Sequence, residues 1–255
     1  MNLPALFIGH GSPMLAIEPG VYTEGWAQLA RQLPRPRAIV AISAHWFTQG
    51  IGVTAMSAPR TIHDFYGFPP ALYELRYGAP GDPALAERLA SLLAPAAVVA
   101  DQEWGLDHGT WAVLRYMYPQ ADIPVVQLSL DASRAAAEHY ALGQQLAALR
   151  SEGILVLGSG NVVHNLRLMS RTPGAMAPDW ATEFNAAVRS AVLASAHGPL
   201  IDYAALPGAQ RAVPTPEHYL PLLYTLAVRA PAEAVSIPID GLEYGAISMM
   251  CVKVA

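Results

Sequence analysis

Two kinds of apolar pattern alternate along the chain. Short unbroken runs of Ile, Val, Leu and Ala, bounded by Gly, Pro or Ser, occupy residues 5–8, 38–42, 51–56, 97–100, 124–129, 154–157 and 246–254. Successive side chains of a strand point to opposite faces, so an unbroken apolar run suits a strand covered on both sides. Between these runs, residues 24–33, 83–93, 110–116, 133–150, 178–194 and 216–228 repeat their apolar positions with a helical period, which predicts helices. Several open on proline, whose missing N–H is not needed in a first helical turn. Strands alternating with helices predict an α/β protein: a three-layer α/β/α sandwich around a mostly parallel, mixed sheet, in one domain over residues 1–255. The short polar loop between 38–42 and 51–56 predicts that part of the sheet is antiparallel.

The predicted strands change the standing of the histidines. His10 follows the first strand across one glycine, His45 follows the second across Ser43 and Ala44, and His164 follows the sixth through Gly158-Ser159-Gly160-Asn161-Val162-Val163. If those strands are parallel neighbours, the three histidines meet at one edge of the sheet, where open α/β sheets hold their ligands. Gly9 and Gly11 flank His10 and let the backbone turn tightly there. Glu217 and His218 are expected in the first turn of a helix, and neighbours on a helix point about 100° apart, so one of the two faces an ion and the other supports it. His108 precedes a predicted helix with Asp107 beside it, and His63 belongs to an aromatic loop that reads as a lid or as a surface cluster. His139 and His197 read as solvent-facing.

Composition removes competing chemistries. The 255 residues contain one Cys and one Lys, Cys251 and Lys253. A disulfide, a Cys-rich zinc site, a C-x-x-C pair and a phosphate loop ending in Gly-Lys-Ser/Thr are therefore excluded. Gly158-Ser159-Gly160 has Val163 where a dinucleotide loop needs its third glycine, and it lacks the Gly-x-Ser-x-Gly spacing of a nucleophile elbow. The formal charge of -5, with 14% charged residues, gives no footprint for nucleic acid. No apolar run approaches the ~18 residues of a membrane span, and no basic region precedes the first apolar run, so a cytoplasmic protein is expected. Several histidines without cysteine suit Fe(II) or Zn(II).

Gly9-His10-Gly11-Ser12-Pro13-Met14, Ser43-Ala44-His45-Trp46-Phe47, Thr61-Ile62-His63-Asp64-Phe65, Leu106-Asp107-His108-Gly109-Thr110-Trp111, Gly158-Ser159-Gly160-Asn161-Val162-Val163-His164-Asn165-Leu166 and Pro214-Thr215-Pro216-Glu217-His218-Tyr219-Leu220-Pro221 together resemble the 4,5-DOPA extradiol dioxygenase family, a branch of the class III, LigB-type ring-cleavage enzymes. The resemblance runs from residue 9 to about residue 250 and implies a single-domain α/β/α fold. It also implies one non-haem divalent ion per chain, Fe(II) for catalysis with Zn(II) as another occupant, and O₂-dependent opening of a small catechol such as L-DOPA or a related catecholic acid. Carried over by motif, His10, His45 and His218 are the expected ligands, with His164 as a fourth; the wider class uses two His and one carboxylate, so Glu217 competes with His218. His164 takes the role of general base, and His108 that of the second acid–base histidine, which returns a proton. His63, Asp64, Phe65, Trp46 and Tyr219 are the expected substrate wall. A zinc hydrolase of a small amide or ester is the competing reading, and both a monomer and a homodimer fit the sequence.

Overall fold

A computed structural model describes residues 2–170, 172 and 175–255. Its strands are β1 (Ala5–Gly9), β2 (Ala38–Thr48), β3 (Ile51–Thr54), β4 (Val98–Asp101), β5 (Val125–Asp131), β6 (Ile154–Gly160), β7 (Val235–Ile239), β8 (Leu242–Glu243), β9 (Ile247–Ser248) and β10 (Cys251–Val254). Eight of them form one sheet in the order β4-β3-β5-β2-β6-β1-β10-β7, and β8 pairs with β9. The central strands β5, β2, β6 and β1 run parallel, while β3 against β5 and β10 against β1 are antiparallel. The strands expected to end beside one another, β2, β6 and β1, are neighbours.

The unbroken apolar runs are explained by helices on both faces. Ala5 and Phe7 of β1 enter one core, Leu6 and Ile8 the other. The first core is closed by α3 (Pro83–Leu92), α5 (Ala136–Gln145), α7 (Asp179–Leu193) and α10 (Leu220–Ala227), and the second by α1 (Val21–Arg31) and α4 (His108–Met117). Shorter helices are α2 (Pro70–Glu74), α6 (Ala147–Ser151), α8 (His197–Ile201) and α9 (Ala209–Ala212).

Four expectations are corrected. β3 runs antiparallel as predicted, yet its partner is β5 and not β2. The helix predicted over 133–150 divides at Leu146 into α5 and α6. The strand predicted over 246–254 breaks at Met249–Met250, leaving β9 to pair with β8 and β10 with β1. His139 is fully buried, not solvent-facing: its Nδ1 lies 2.9 Å from Tyr224 Oη and its Nε2 3.1 Å from the Asp131 carbonyl. The face of α5 that carries His139 packs on α10, so the Ala-rich character of the helix hid which side was inside. His197 is half-buried, 2.6 Å from Tyr140 Oη.

Burial pushes the His139 imidazole down to about 4, so the folded protein keeps it neutral while the unfolded chain protonates it near pH 6.5. Its contribution is complete above that pH and is lost as pH falls towards the folded value. His139→Gln should therefore flatten the fall in unfolding free energy from about pH 7.5 to pH 5 by about 2 kcal/mol, measured by urea titration at both pH values. An unchanged slope would refute this account of His139.

Candidate metal centre

Each candidate ligand reaches the sheet edge by a different route. His10 follows β1, held where its own N–H meets the Gly160 carbonyl. His45 lies inside β2, in the stretch where register with β5 slips between Ile42 and Phe47. His218 sits in the turn before α10 and not in a helical turn, and its carbonyl accepts the Asn161 N–H. A side chain at Gly160 would collide with that carbonyl, so glycine at this position lets the turn carrying His218 close down on β6. His164 follows β6 and bridges to Ile247, and His108 opens α4, whose N-cap is Asp107.

Hydrogen bonds fix the imidazole tautomers. Ser159 Oγ donates to the Gly109 carbonyl at 2.6 Å, so its oxygen accepts the Nδ1–H of His10 at 2.9 Å. His45 Nδ1 faces the Asp64 carboxylate at 3.3 Å, and His218 Nδ1 faces Glu217 Oε1 at 3.1 Å. With Nδ1–H bonded in His10 and His218 and the Nδ1 of His45 turned to a carboxylate, Nε2 is the nitrogen left to present a lone pair in each ring. The Nε2 atoms of His10 and His45 lie 3.0 Å apart, two acceptors face to face. His218 Nε2 is buried and has no partner. Lone pairs gathered without a proton to share need a cation, and nitrogen ligands whose other N–H is tied to an oxygen are how proteins present imidazole to a metal. The donor set therefore fits a divalent ion on His10, His45 and His218, whose ligand atoms all fall within 4.8 Å of one another.

The electrostatics agree with a neutral donor set. Burial, then repulsion from neighbouring histidines, holds His10 and His45 well below the ordinary imidazole range. Burial also lowers His218, against the opposing pull of Glu217. Glu217 itself is brought down to about 2 because the bonds from His218 and Thr215 override its burial. His164 stacks on His218 with ring centres 3.4 Å apart, and burial with the His218 neighbour pushes it down to about 3.

Asp64 has a different place from the expected substrate wall alone. It lines the cavity, and it also accepts the His108 backbone N–H at 2.8 Å and His108 Nδ1 at 2.8 Å, while facing His45 Nδ1. One carboxylate thus orients two histidines, and those bonds from His108 outweigh its burial and lower it. The cavity, of about 590 Å³, is lined by all five clustered histidines together with Asp64, Phe65, Phe68, Leu166, Met169, Tyr244 and Ile247. Phe65 stands in it as expected. Tyr219 does not: it is fully buried in the other core and bonds the Leu200 carbonyl. Trp46 also turns away, stacking on Trp104 at 5.6 Å, because alternation along β2 sends the neighbour of His45 to the opposite face. His63 is tied to the Leu75 carbonyl and packs behind Phe65 against Trp111.

The sequence reading missed Ser159, although it sits in the Gly-Ser-Gly run set against a nucleotide loop and a nucleophile elbow. It also missed Leu166, Met169, Tyr244 and Ile247, which carry no chemistry-bearing spacing. No helix among the described residues is long and apolar enough to cross a membrane.

Comparison with known proteins agrees with this geometry. Residues 4–235 match the model of the catalytic LigB subunit of aromatic ring-opening dioxygenase. A protein of Escherichia coli K12 named 4,5-DOPA dioxygenase extradiol is 53% identical over 99% of this chain and 95% of its own. One of the same name from Beta vulgaris is 40% identical over 85% of this chain and 83% of its own. The crystal structure of an uncharacterized Escherichia coli K12 protein superposes with a TM-score of 0.88 at 48% identity, covering 99% of this chain and 100% of that one. With its sheet, its histidine edge and its full-length relatives in agreement, the chain belongs to the LigB family of aromatic ring-opening dioxygenases.

Proposed function

We propose that the protein is an extradiol dioxygenase of a small catechol, of the L-DOPA or catecholic-acid kind, with one Fe(II) ion held by His10, His45 and His218. The observation that carries this reading is the set of three Nε2 lone pairs that converge on the histidine-lined end of the cavity. Fe(II) bound there would supply a chelation point for the two catechol oxygens and an electron path between ring and O₂. Glu217 serves as the partner that orients His218 rather than as the ligand, since its carboxylate is engaged by His218 Nδ1 and Thr215 Oγ1. The hydrolase reading is set aside because the chain belongs to a dioxygenase family.

The remaining residues divide the proton work. Burial and the neighbouring His218 keep the His164 ring neutral, so its lone pair is free to take up a catechol proton once the substrate has entered. His108 is held through Nδ1 by Asp64, which orients its ring and leaves Nε2 as the nitrogen that passes a proton to the opening ring. Phe65 and Phe68, packed edge to face with ring centres 5.3 Å apart, form one aromatic wall for the substrate ring.

Loading with Fe(II) under anaerobic conditions, followed by a catechol and then air, tests the function. Oxygen uptake with a yellow ring-opened product is expected; a loaded protein that consumes no oxygen with any catechol overturns the reading. His164→Ala should lower turnover by about 10²–10⁴-fold, the usual weight of an acid–base group, with catechol affinity largely kept. Near-normal turnover in that variant would remove His164 from the mechanism.

A further inference from the structure

The tip of the β8–β9 hairpin carries a residue whose backbone conformation is unfavourable for it. The Glu243 carbonyl accepts the Ala246 N–H at 3.1 Å, closing a turn whose two central residues, Tyr244 and Gly245, have φ of 50° and 70°. A hairpin turn with both central residues left-handed is built from Asn, Asp or Gly, and an aromatic side chain at its first position is strained. Gly245 meets this demand and Tyr244 does not.

The surroundings say why the position matters. Tyr244 lines the cavity that holds the five histidines. Its carbonyl accepts the Ser170 N–H at 2.8 Å, and the Ala246 carbonyl accepts the Asn165 N–H at 3.0 Å. The hairpin tip therefore also holds the segment that brings Leu166 and Met169 into the cavity wall. The lining residues that neither belong to nor support the histidine cluster are mostly apolar, among them Phe68, Leu166, Met169 and Ile247. Tyr244, which also lines the cavity, is the residue of that wall whose side chain carries a phenol hydroxyl. Strain kept at a single residue of a binding cavity marks a side chain held for its contact with a ligand, because a strain-free residue was available to the turn.

We propose that Tyr244 is a specificity-determining residue whose phenol hydroxyl donates a hydrogen bond to the carboxylate on the ring substituent of a catecholic acid. The proposal rests on the catechol reading above and goes beyond it by naming the group that selects the substituent. A hydrogen bond to a charged acceptor is among the stronger neutral-donor contacts, so the hydroxyl favours an acid-bearing catechol over the bare ring.

Binding without turnover tests it. Zinc-loaded wild type, Tyr244→Phe and Tyr244→Asn are titrated by calorimetry with catechol and with 3-(3,4-dihydroxyphenyl)propanoate, and the ratio of the two dissociation constants is read. Wild type is expected to prefer the acid, and both variants to lose about tenfold of that preference. Tyr244→Asn should also keep or raise the melting temperature, since Asn adopts the turn without strain. An unchanged ratio in Tyr244→Phe overturns the proposal, as does a wild type with no preference for the acid. A drop of more than about 3 °C in Tyr244→Asn would assign Tyr244 to packing instead. Oxygen uptake by the Fe(II)-loaded wild type is measured separately: its absence refutes the dioxygenase reading, while the affinity ratio still decides the role of Tyr244.

Discussion

His218→Ala is expected to yield a folded protein that no longer retains a divalent ion through gel filtration and opens no catechol ring. The ring is buried in a turn anchored on both sides, by its own carbonyl to Asn161 and by the Tyr219 N–H to Pro216, so its loss leaves the backbone in place. What disappears is one of three converging lone pairs. Removing only an outer partner of a ligand costs about 10–100-fold in metal affinity, and losing the ligand itself should exceed that range. Glu217→Gln supplies the comparison, because it weakens the bond that orients His218 Nδ1 but leaves Nε2. Metal analysis and competition with a chelator on both variants decide the matter. If Glu217→Gln loses the ion while His218→Ala keeps it, the carboxylate is the ligand and the assignment is reversed.

The largest effect on stability is expected far from the cavity, at Arg150. This side chain is 1% exposed and binds the Leu3 carbonyl at 2.6 Å, the Val228 carbonyl at 2.8 Å and both Glu233 oxygens at 2.5 and 2.7 Å. It joins α6 to the segment before β1, to the end of α10 and to the segment before β7. Arg150→Ala leaves two carbonyls without their donor and a part-buried carboxylate with the Ala230 N–H but no guanidinium, so the loss should approach the lower end of the about 3–5 kcal/mol that breaking a buried pair costs. Glu233 is lowered by Arg150 and the Ala230 N–H despite its burial, which shows the carboxylate stabilised in its charged form. Denaturant titration of the two proteins at neutral pH reads the difference. A loss below about 1 kcal/mol, the range of an exposed pair, would mean that water replaces the arginine.

The β1, β2 and β6 runs and the histidines beside them were legible because strand order and apolar continuity depend on local spacing. Which strand neighbours which is not local, and β3 shows the limit: its sequence reports a strand and an antiparallel sense, while β5, which pairs with it, lies more than seventy residues away. The placement of His10, His45 and His164 followed from chain position alone. The tautomers of His10, His45 and His218 did not, because Ser159, Asp64 and Glu217 settle them and only the first is reached through the sheet. Tyr219 was misread for a related reason. It adjoins His218 in sequence, but the turn sends the two rings to opposite sides, one to the cavity and one to the core beneath α7 and α10. Trp46 repeats the lesson in a strand, where adjacent residues always diverge. Tyr244 carried no signal of its role, since the unusual fact about it is a dihedral angle.

The position of β1 between β6 and β10 has a consequence for biosynthesis. Gly9, next to His10, bonds the Met250 carbonyl, and Ala5 pairs with Val254. The strand that leads into His10 is thus fixed on one side by a strand more than two hundred residues later in the sequence. Bringing such distant segments together carries a loop-closure cost and slows folding. The His10 side of the proposed pocket is consequently unfinished until β10 has been made and has paired with β1. A divalent ion bound by the proposed histidine set is then drawn from the pool that the chain meets once β10 has paired with β1.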